Sequence, residues 1–195
     1  PLSIFKIWEG GLAIYGAIIA SIIFIIYYTR KKEKDTLLVV DTLVPYLILG
    51  QAIGRWGNFI NKEAHGISTS LSNLKSMHLP NFIIEGMYIN GNYYIPTFLY
   101  ESLWCFVGFI ILLIVRRLKI TKVGQPFALY LMWYGLGRFI IEAMRTDSLM
   151  LGGFKIAQIV SVIMILTGLI IIMITGRKGR YEDLYDQDEN EVVKF

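Results

Sequence analysis

Apolar residues gather along the 195-residue chain into five runs, at 10–28, 37–54, 97–115, 124–141 and 156–175, separated by polar stretches. Each run approaches the ~20 residues that a helix needs to cross the ~30 Å hydrocarbon core of a bilayer. Helices are the form expected of them, because an open sheet would leave backbone groups unpaired in lipid. The pattern predicts an all-α integral membrane protein with five transmembrane helices. One long interval, 55–96, is polar, and within it Met87-Tyr88-Ile89 and Tyr93-Tyr94-Ile95 flank Asn90-Gly91-Asn92. That is the signal of a short hairpin, so a small extracytoplasmic arm is expected over about 66–95.

Composition agrees with the membrane reading, since 55% of residues are hydrophobic and 17% charged, outside the usual range of a soluble domain. Basic residues then set orientation, because cytoplasmic loops carry the excess of Lys and Arg. Arg30, Lys31, Lys32 and Lys34 follow the first run, Arg116, Arg117, Lys119 and Lys122 the third, and Arg177, Lys178 and Arg180 the fifth. The N-terminus, the 55–96 interval and the 144–155 loop are thereby placed outside, and the C-terminus in the cytoplasm. Residues 1–180 read as a polytopic membrane domain. The end from 181 to 195, with Glu182, Asp183, Asp186, Asp188, Glu189 and Glu191 against Lys194, reads as a solvated acidic tail without a catalytic part. A start at Pro1 without an initiator Met predicts a further upstream stretch of chain.

Charges inside the apolar runs carry the chemistry. Arg138 lies within the fourth run, with Tyr134 and Glu142 one turn to either side on the same helical face. An ionisable group at that depth costs several kcal/mol unless it is paired or wetted, so it marks a functional site by default. Glu101, beside Tyr100, lies near the outer end of the third run, Tyr15 in the outer part of the first, and Arg145 or Thr146 extends the Arg138 face outward. Asp41 stands apart as a structural or interfacial residue. Cys105 reads as packing, and His65 and His78 are too few and too far apart for a metal site.

The densest polar run, 54–66, holds Arg55, Asn58, Asn61, Glu63 and His65 interleaved with aromatics and with glycines at 54, 57 and 66. Arg55 offers a planar fork of donors suited to a phosphate, and Asn58, Asn61 and Glu63 are suited to orienting a polar head group. Two readings fit these residue types: a dedicated site, or an interfacial loop whose arginine meets lipid phosphates nonspecifically. Glu101 is equally placed to pair with Arg55 or with Arg138 as interhelical glue. Two arginines and at least three carboxylates in one leaflet nevertheless exceed what packing needs, so an anion is expected between the arginines. Three classes of protein remain open: an enzyme acting on lipid, a membrane anion or lipid transporter, and a noncatalytic lipid-binding protein. A transporter is expected to place its site near the midplane between repeats, and no repeat is seen.

The run Arg55-Trp56-Gly57-Asn58-Phe59-Ile60-Asn61-Lys62-Glu63-Ala64-His65-Gly66 resembles the signature of the prolipoprotein diacylglyceryl transferase family, G-R-x-G-N-F-x-N-x-E-x-x-G. Further stretches similar to the family start at Ile7-Trp8-Glu9-Gly10-Gly11, Pro96-Thr97-Phe98-Leu99-Tyr100-Glu101-Ser102, Tyr134-Gly135-Leu136-Gly137-Arg138 and Arg145-Thr146-Asp147. The resemblance covers about 7–175. It implies a seven-span enzyme of the bacterial plasma membrane, with two spans before Pro1, its N-terminus outside and its active site towards the outer leaflet. It implies transfer of a diacylglyceryl group from phosphatidylglycerol to the lipobox cysteine beside a prolipoprotein signal peptide, the first step of lipoprotein maturation. Membrane lipids and that precursor are its implied partners, with no nucleic acid and no metal or organic cofactor. By the same resemblance Arg55 and Arg138 hold the phosphate. Asn58, Glu63 and Gly66 belong to head-group binding or site shape, while Tyr134, Glu142 and Arg145 support Arg138 and gate lateral access; Asn61, by its residue type, and Glu101, by its place among the outer polar groups, join the candidate substrate-binding residues.

Two positions depart from that pattern. Tyr15 stands where many members have a histidine proposed as general base, and Ile95 precedes Pro96 where a histidine is common. A phenol is a weak base at neutral pH unless a cation stabilises its phenolate. Tyr15 working beside an arginine, Glu63 or another group taking the proton, and a reaction with no base of that form are the alternatives.

Overall fold

The computed structural model describes residues 12–146, 148 and 150–176, and of these the side chains at 12–15, 18 and 151 lie outside the description. The expected acidic tail, the Arg177, Lys178 and Arg180 cluster, the start at Pro1 and the Tyr15 side chain therefore fall outside it. Among the described residues there are seven helices and five short strands.

Helix α1 (Leu12–Lys31) leads into α2 (Thr36–Ile60), whose start is capped by Asp35, its Oδ1 accepting from Leu37 N at 2.7 Å. The arm follows as β1 (Ser68–Thr69), α3 (Leu71–Ser76), α4 (Asn81–Gly86), β2 (Tyr88–Ile89) and β3 (Asn92–Tyr94). Then come α5 (Thr97–Arg116), α6 (Gln125–Ala143), the hairpin β4 (Met150–Leu151) and β5 (Phe154–Lys155), and α7 (Ile156–Thr175). The long helices fall on the five apolar runs. Three of them, α2, α5 and α7, are long and apolar enough to cross a membrane.

Helix α2 departs from expectation by running six residues past 54, so Arg55 to Ile60 are helical rather than part of a loop. Polar residues at an apolar boundary do not end a helix while its hydrogen-bond ladder continues. Here the last full rung is Asn61 N donating to Gly57 O at 2.9 Å, after which Lys62 N shifts to Phe59 O and Lys62 turns to φ 56°. The extension carries Arg55 into the bundle and Phe59 into the arm.

Packing centres on α2, α5 and α6, with α7 laid along α6 and α1 against α2. Val44, Ile48 and Ala52 of α2, Cys105 and Leu112 of α5 and Tyr130 of α6 form the core. Asp41, fully buried, accepts from Gly124 N at 2.5 Å and Phe127 N at 2.9 Å, so a side chain of α2 caps the start of α6. That satisfies amide donors a helix start leaves open, and it gives Asp41 the structural part expected of it.

The α5–α6 crossing is reciprocal. The indoles of Trp104 and Trp133 stack at 4.5 Å, and each donates through Nε1 to the other's carbonyl oxygen at 2.9 Å. Each indole also covers a glycine four residues along the opposite helix: Trp133 covers Gly108, and Trp104 covers Gly137. A side chain at Gly137 would occupy the Trp104 ring. Gly137→Val is expected to lower the unfolding midpoint in detergent, with an overpacking cost of about 1–3 kcal/mol. An unchanged midpoint would show that the crossing is looser than drawn.

In the arm, β3 pairs antiparallel with both β1 and β2, and Tyr88 opposes Tyr93 across the hairpin. Its two-residue turn, Asn90 at φ 48° and Gly91 at φ 85°, has the positive angles that an Asn-Gly turn favours. Leu74, Ile83, Ile84, Met87 and Phe98 build a second small core, entered by Phe59 from the end of α2. The Phe59 ring stacks on Phe98 at 4.6 Å and lies against Gly86, where a Cβ would clash with it. The arm is thus clamped to the ends of α2 and α5.

Candidate active site

The arginines expected to face an anion face a carboxylate of the chain itself. Arg55 on α2 meets Glu101 of α5 through Nε at 2.6 Å, and Arg138 on α6 meets the other oxygen of Glu101 through one terminal nitrogen at 2.9 Å. The second terminal nitrogen of Arg138 reaches Glu142 at 2.7 Å, the i,i+4 contact anticipated on that face. Arg145 continues the line, its Nε 3.9 Å from Glu142. Arg55 also donates to the Tyr134 hydroxyl at 3.3 Å. Glu101 had two candidate partners in sequence, and the structure gives it both.

The network is buried on its acidic side and open on its basic side. The side chains of Glu101 and Glu142 are 6% and 3% exposed, against 19% for each of Arg55 and Arg138. A guanidinium carries five N–H donors. Among the described residues, each of these two arginines uses one donor on Glu101 and one on a second partner. Donors remain to meet a ligand, in surroundings where a charge-assisted bond is stronger than in water. A small cavity beside them is lined by Glu101, Trp104, Cys105, Tyr134, Gly137 and Arg138.

Asn58, Asn61 and Glu63 form a separate cluster. Asn58 and Asn61 both donate to Glu63 Oε1, at 3.0 and 3.4 Å, closing the turn that follows α2. Among the described residues no hydrogen bond or ion pair joins this turn to Arg55 or Arg138. Asn58 and Glu63, with Lys62 and His65, line a second cavity at the foot of the arm. The His65 ring packs on Tyr94 at 4.0 Å.

Gly66 ties the two clusters together through the backbone. It bridges antiparallel to Arg145, and its N–H donates to Ile95 O at 3.0 Å. A Cβ at Gly66 would lie 3.0 Å from both Ile95 Cβ and Thr97 Cγ2, so any larger residue would push these neighbours back by a few tenths of an ångström. Lys155 closes the far side of α6, its Nζ donating to Glu142 O at 2.6 Å and Arg145 O at 2.8 Å. Ile95 packs against Gly66 and accepts its N–H.

One polar pair on these helices escapes a sequence reading. Gln51 Nε2 donates to the Tyr130 hydroxyl at 3.0 Å, one turn from Arg55 on α2 and from Tyr134 on α6. The available signal is the i−4 spacing of a polar residue from each.

Fold and site together define a helical membrane protein with a charged centre where three helices meet. The prolipoprotein diacylglyceryl transferase family model matches residues 1–174. Among curated relatives, the phosphatidylglycerol–prolipoprotein diacylglyceryl transferase of Listeria monocytogenes serotype 4b (strain CLIP80459) is 54% identical over 191 residues, 98% of this chain and 69% of its own length. That of Ligilactobacillus salivarius (strain UCC118) is 52% identical over 169 residues, 86% of this chain and 63% of its own. That of Staphylococcus xylosus is 50% identical over 188 residues, 94% and 67% of the two chains. The chain belongs to the prolipoprotein diacylglyceryl transferase family, and it spans 63% to 69% of the length of these relatives.

Proposed function

We propose that the protein transfers the diacylglyceryl group of phosphatidylglycerol to the lipobox cysteine of a prolipoprotein. The observation that carries the site assignment is the pair of arginines, Arg55 and Arg138, converging on one carboxylate where three helices meet, two of which, α2 and α5, are long and apolar enough to cross a membrane. A phosphate diester brings the same charge and acceptor oxygens to the same donors.

In the reaction the substrate thiol gives up its proton, which ends on the released phosphate monoester or in solvent, and the thiolate attacks the glycerol carbon bonded to the phosphate oxygen. A carbon–sulfur bond forms, that carbon–oxygen bond breaks, and the electron pair leaves with glycerol 1-phosphate. The phosphate begins as a monoanionic diester and departs as a monoester of higher negative charge. Fixed guanidinium donors therefore bind the transition state more tightly than the substrate, which is the condition for a rate gain. Glu142 steadies Arg138 from the side opposite Glu101, and Tyr134 steadies Arg55. Cys105 is buried in the core, in keeping with a nucleophile supplied by the substrate.

The same reading places five spans in this chain and seven in the whole protein, with the site towards the outer leaflet and the C-terminus in the cytoplasm. The arm lies outside the membrane, where it helps receive the signal peptide. The test is incubation of the purified protein with phosphatidylglycerol and a lipobox peptide. Peptide-dependent release of glycerol phosphate, with a matching mass gain on the cysteine, is expected. Lipid binding or movement without cleavage would assign the protein to a transporter or a lipid-binding scaffold.

A further inference from the structure

The end of α6 is held from α7. Lys155, the last residue of β5 and the residue that precedes α7, donates through Nζ to Glu142 O at 2.6 Å, Arg145 O at 2.8 Å and Ala143 O at 3.4 Å. An ammonium has three N–H donors, so each has a carbonyl within reach. Among the described residues Lys155 meets no carboxylate, and its donors go to main chain alone. One turn further along α7, Gln158 Nε2 donates to Phe139 O at 3.4 Å, the carbonyl of the residue after Arg138.

The last carbonyls of a helix lack amide partners from a following turn, and helix ends fray. A cation at that end is also favoured by the helix dipole. In α6 this last turn carries Glu142, whose side chain is 3% exposed and meets Arg138 at 2.7 Å. Glu142 is therefore gripped twice, through its carbonyl oxygen by Lys155 and through its carboxylate by Arg138. Arg145 is gripped twice as well, through its carbonyl oxygen by Lys155 and through its backbone bridge to Gly66. We propose that Lys155 is a positioning residue for the transfer reaction: by fixing the main chain at Glu142 it sets the place of one anchor of Arg138, and with it the direction in which that guanidinium meets the phosphate.

This inference rests on the phosphatidylglycerol reading above and deepens it. Arg138 spans two carboxylates, and each is secured from outside its own helix. Glu101 stands three residues after Phe98, which is locked into the core of the arm. Glu142 stands in the last turn of α6, where Lys155 holds the carbonyls. Without Lys155 the turn that bears Glu142 loses its tie to α7, and Arg138 keeps one firm anchor in place of two. Lys155 thus acts without touching lipid, through Glu142 and then Arg138. A cap that served the helix alone would alter stability and leave the reaction as it was.

The test is a mutant cycle between Lys155 and Glu142 in the full-length protein, assayed with phosphatidylglycerol and a lipobox peptide. Lys155→Met is expected to lose about tenfold in kcat, less than the ~100-fold that a 1 Å misplacement can cost, because Glu101 still holds Arg138. KM for the lipid should stay within about twofold, since charge still attracts it. Lys155→Arg should recover most of the loss, a guanidinium being able to donate to several carbonyls. In a Glu142→Gln background the same Lys155→Met change should cost less than about twofold further, because the anchor it positions is already gone. If Lys155→Met does not fold, Lys155→Gln, with two donors, takes its place in the cycle, with a smaller loss that again vanishes in the Glu142→Gln background. An equal loss in both backgrounds, a loss confined to KM, or an unchanged kcat in folded Lys155→Met protein overturns the proposal. No turnover by the unaltered protein would instead remove the phosphatidylglycerol reading, and this inference with it.

Discussion

Arg138→Lys is expected to lose roughly 100-fold in kcat, the range seen when one preorganised transition-state donor is lost, although the positive charge is kept. The guanidinium spans two carboxylates on two helices, Glu101 at 2.9 Å and Glu142 at 2.7 Å, with one terminal nitrogen on each. Anchored to Glu142 by one terminal nitrogen, the planar group presents the donors that Glu101 holds in the empty form to the place proposed for the phosphate. An ammonium on a flexible stem is a point charge with no such plane, so it satisfies one carboxylate and approaches the phosphate without defined direction. The loss should fall on kcat more than on lipid affinity, because charge alone suffices to attract the diester while geometry decides how well the departing monoester is met. Single-turnover assays on protein with an unchanged unfolding midpoint separate the two. Near-normal turnover by folded Arg138→Lys would remove Arg138 from the reaction.

The long helices were legible because lipid imposes a length and a composition, and 156–175 emerges as α7 at the residues expected. The end of α2 was not. Arg55, Asn58 and Asn61 among aromatics look like a loop, yet helix termination depends on the backbone ladder rather than on polarity. In the arm, α3 and α4 are six residues each, too short to hold by propensity. They exist because Leu74, Ile83 and Ile84 bury against Phe59 and Phe98, which are distant in sequence. The arginines were legible because charge in an apolar run is costly and so conspicuous. The bonds that Asn58 and Asn61 make to Glu63 were not, since the residue types of that turn suit a ligand and one another equally well. Gln51 and Tyr130 carry no charge and lie 79 residues apart, so only the assembled helices bring them together.

Glu101 is the residue on which the empty and lipid-bound forms should differ most. Its carboxylate occupies the place between Arg55 and Arg138 where the phosphate is proposed to bind, so substrate and side chain compete for the same donors. Glu101→Gln keeps the shape and removes the charge. Without lipid, two guanidiniums, each 19% exposed, then face each other with their shared counter-ion gone. Breaking a buried ion pair from one side costs about 3–5 kcal/mol, and the partial exposure of these arginines places the loss towards the lower end of that range. The unfolding midpoint should fall accordingly. Lipid should reverse the order, because a phosphate diester restores a negative charge between the arginines and meets no carboxylate there. The variant is therefore expected to bind phosphatidylglycerol about tenfold more tightly than the unaltered protein, 1.4 kcal/mol being recovered from the relieved arginines. Its midpoint should rise more on adding that lipid, and zwitterionic phosphatidylcholine should do neither. Weaker phosphatidylglycerol binding by a folded Glu101→Gln protein would show that the phosphate does not sit between the arginines, and that Glu101 holds the lipid rather than standing in for it.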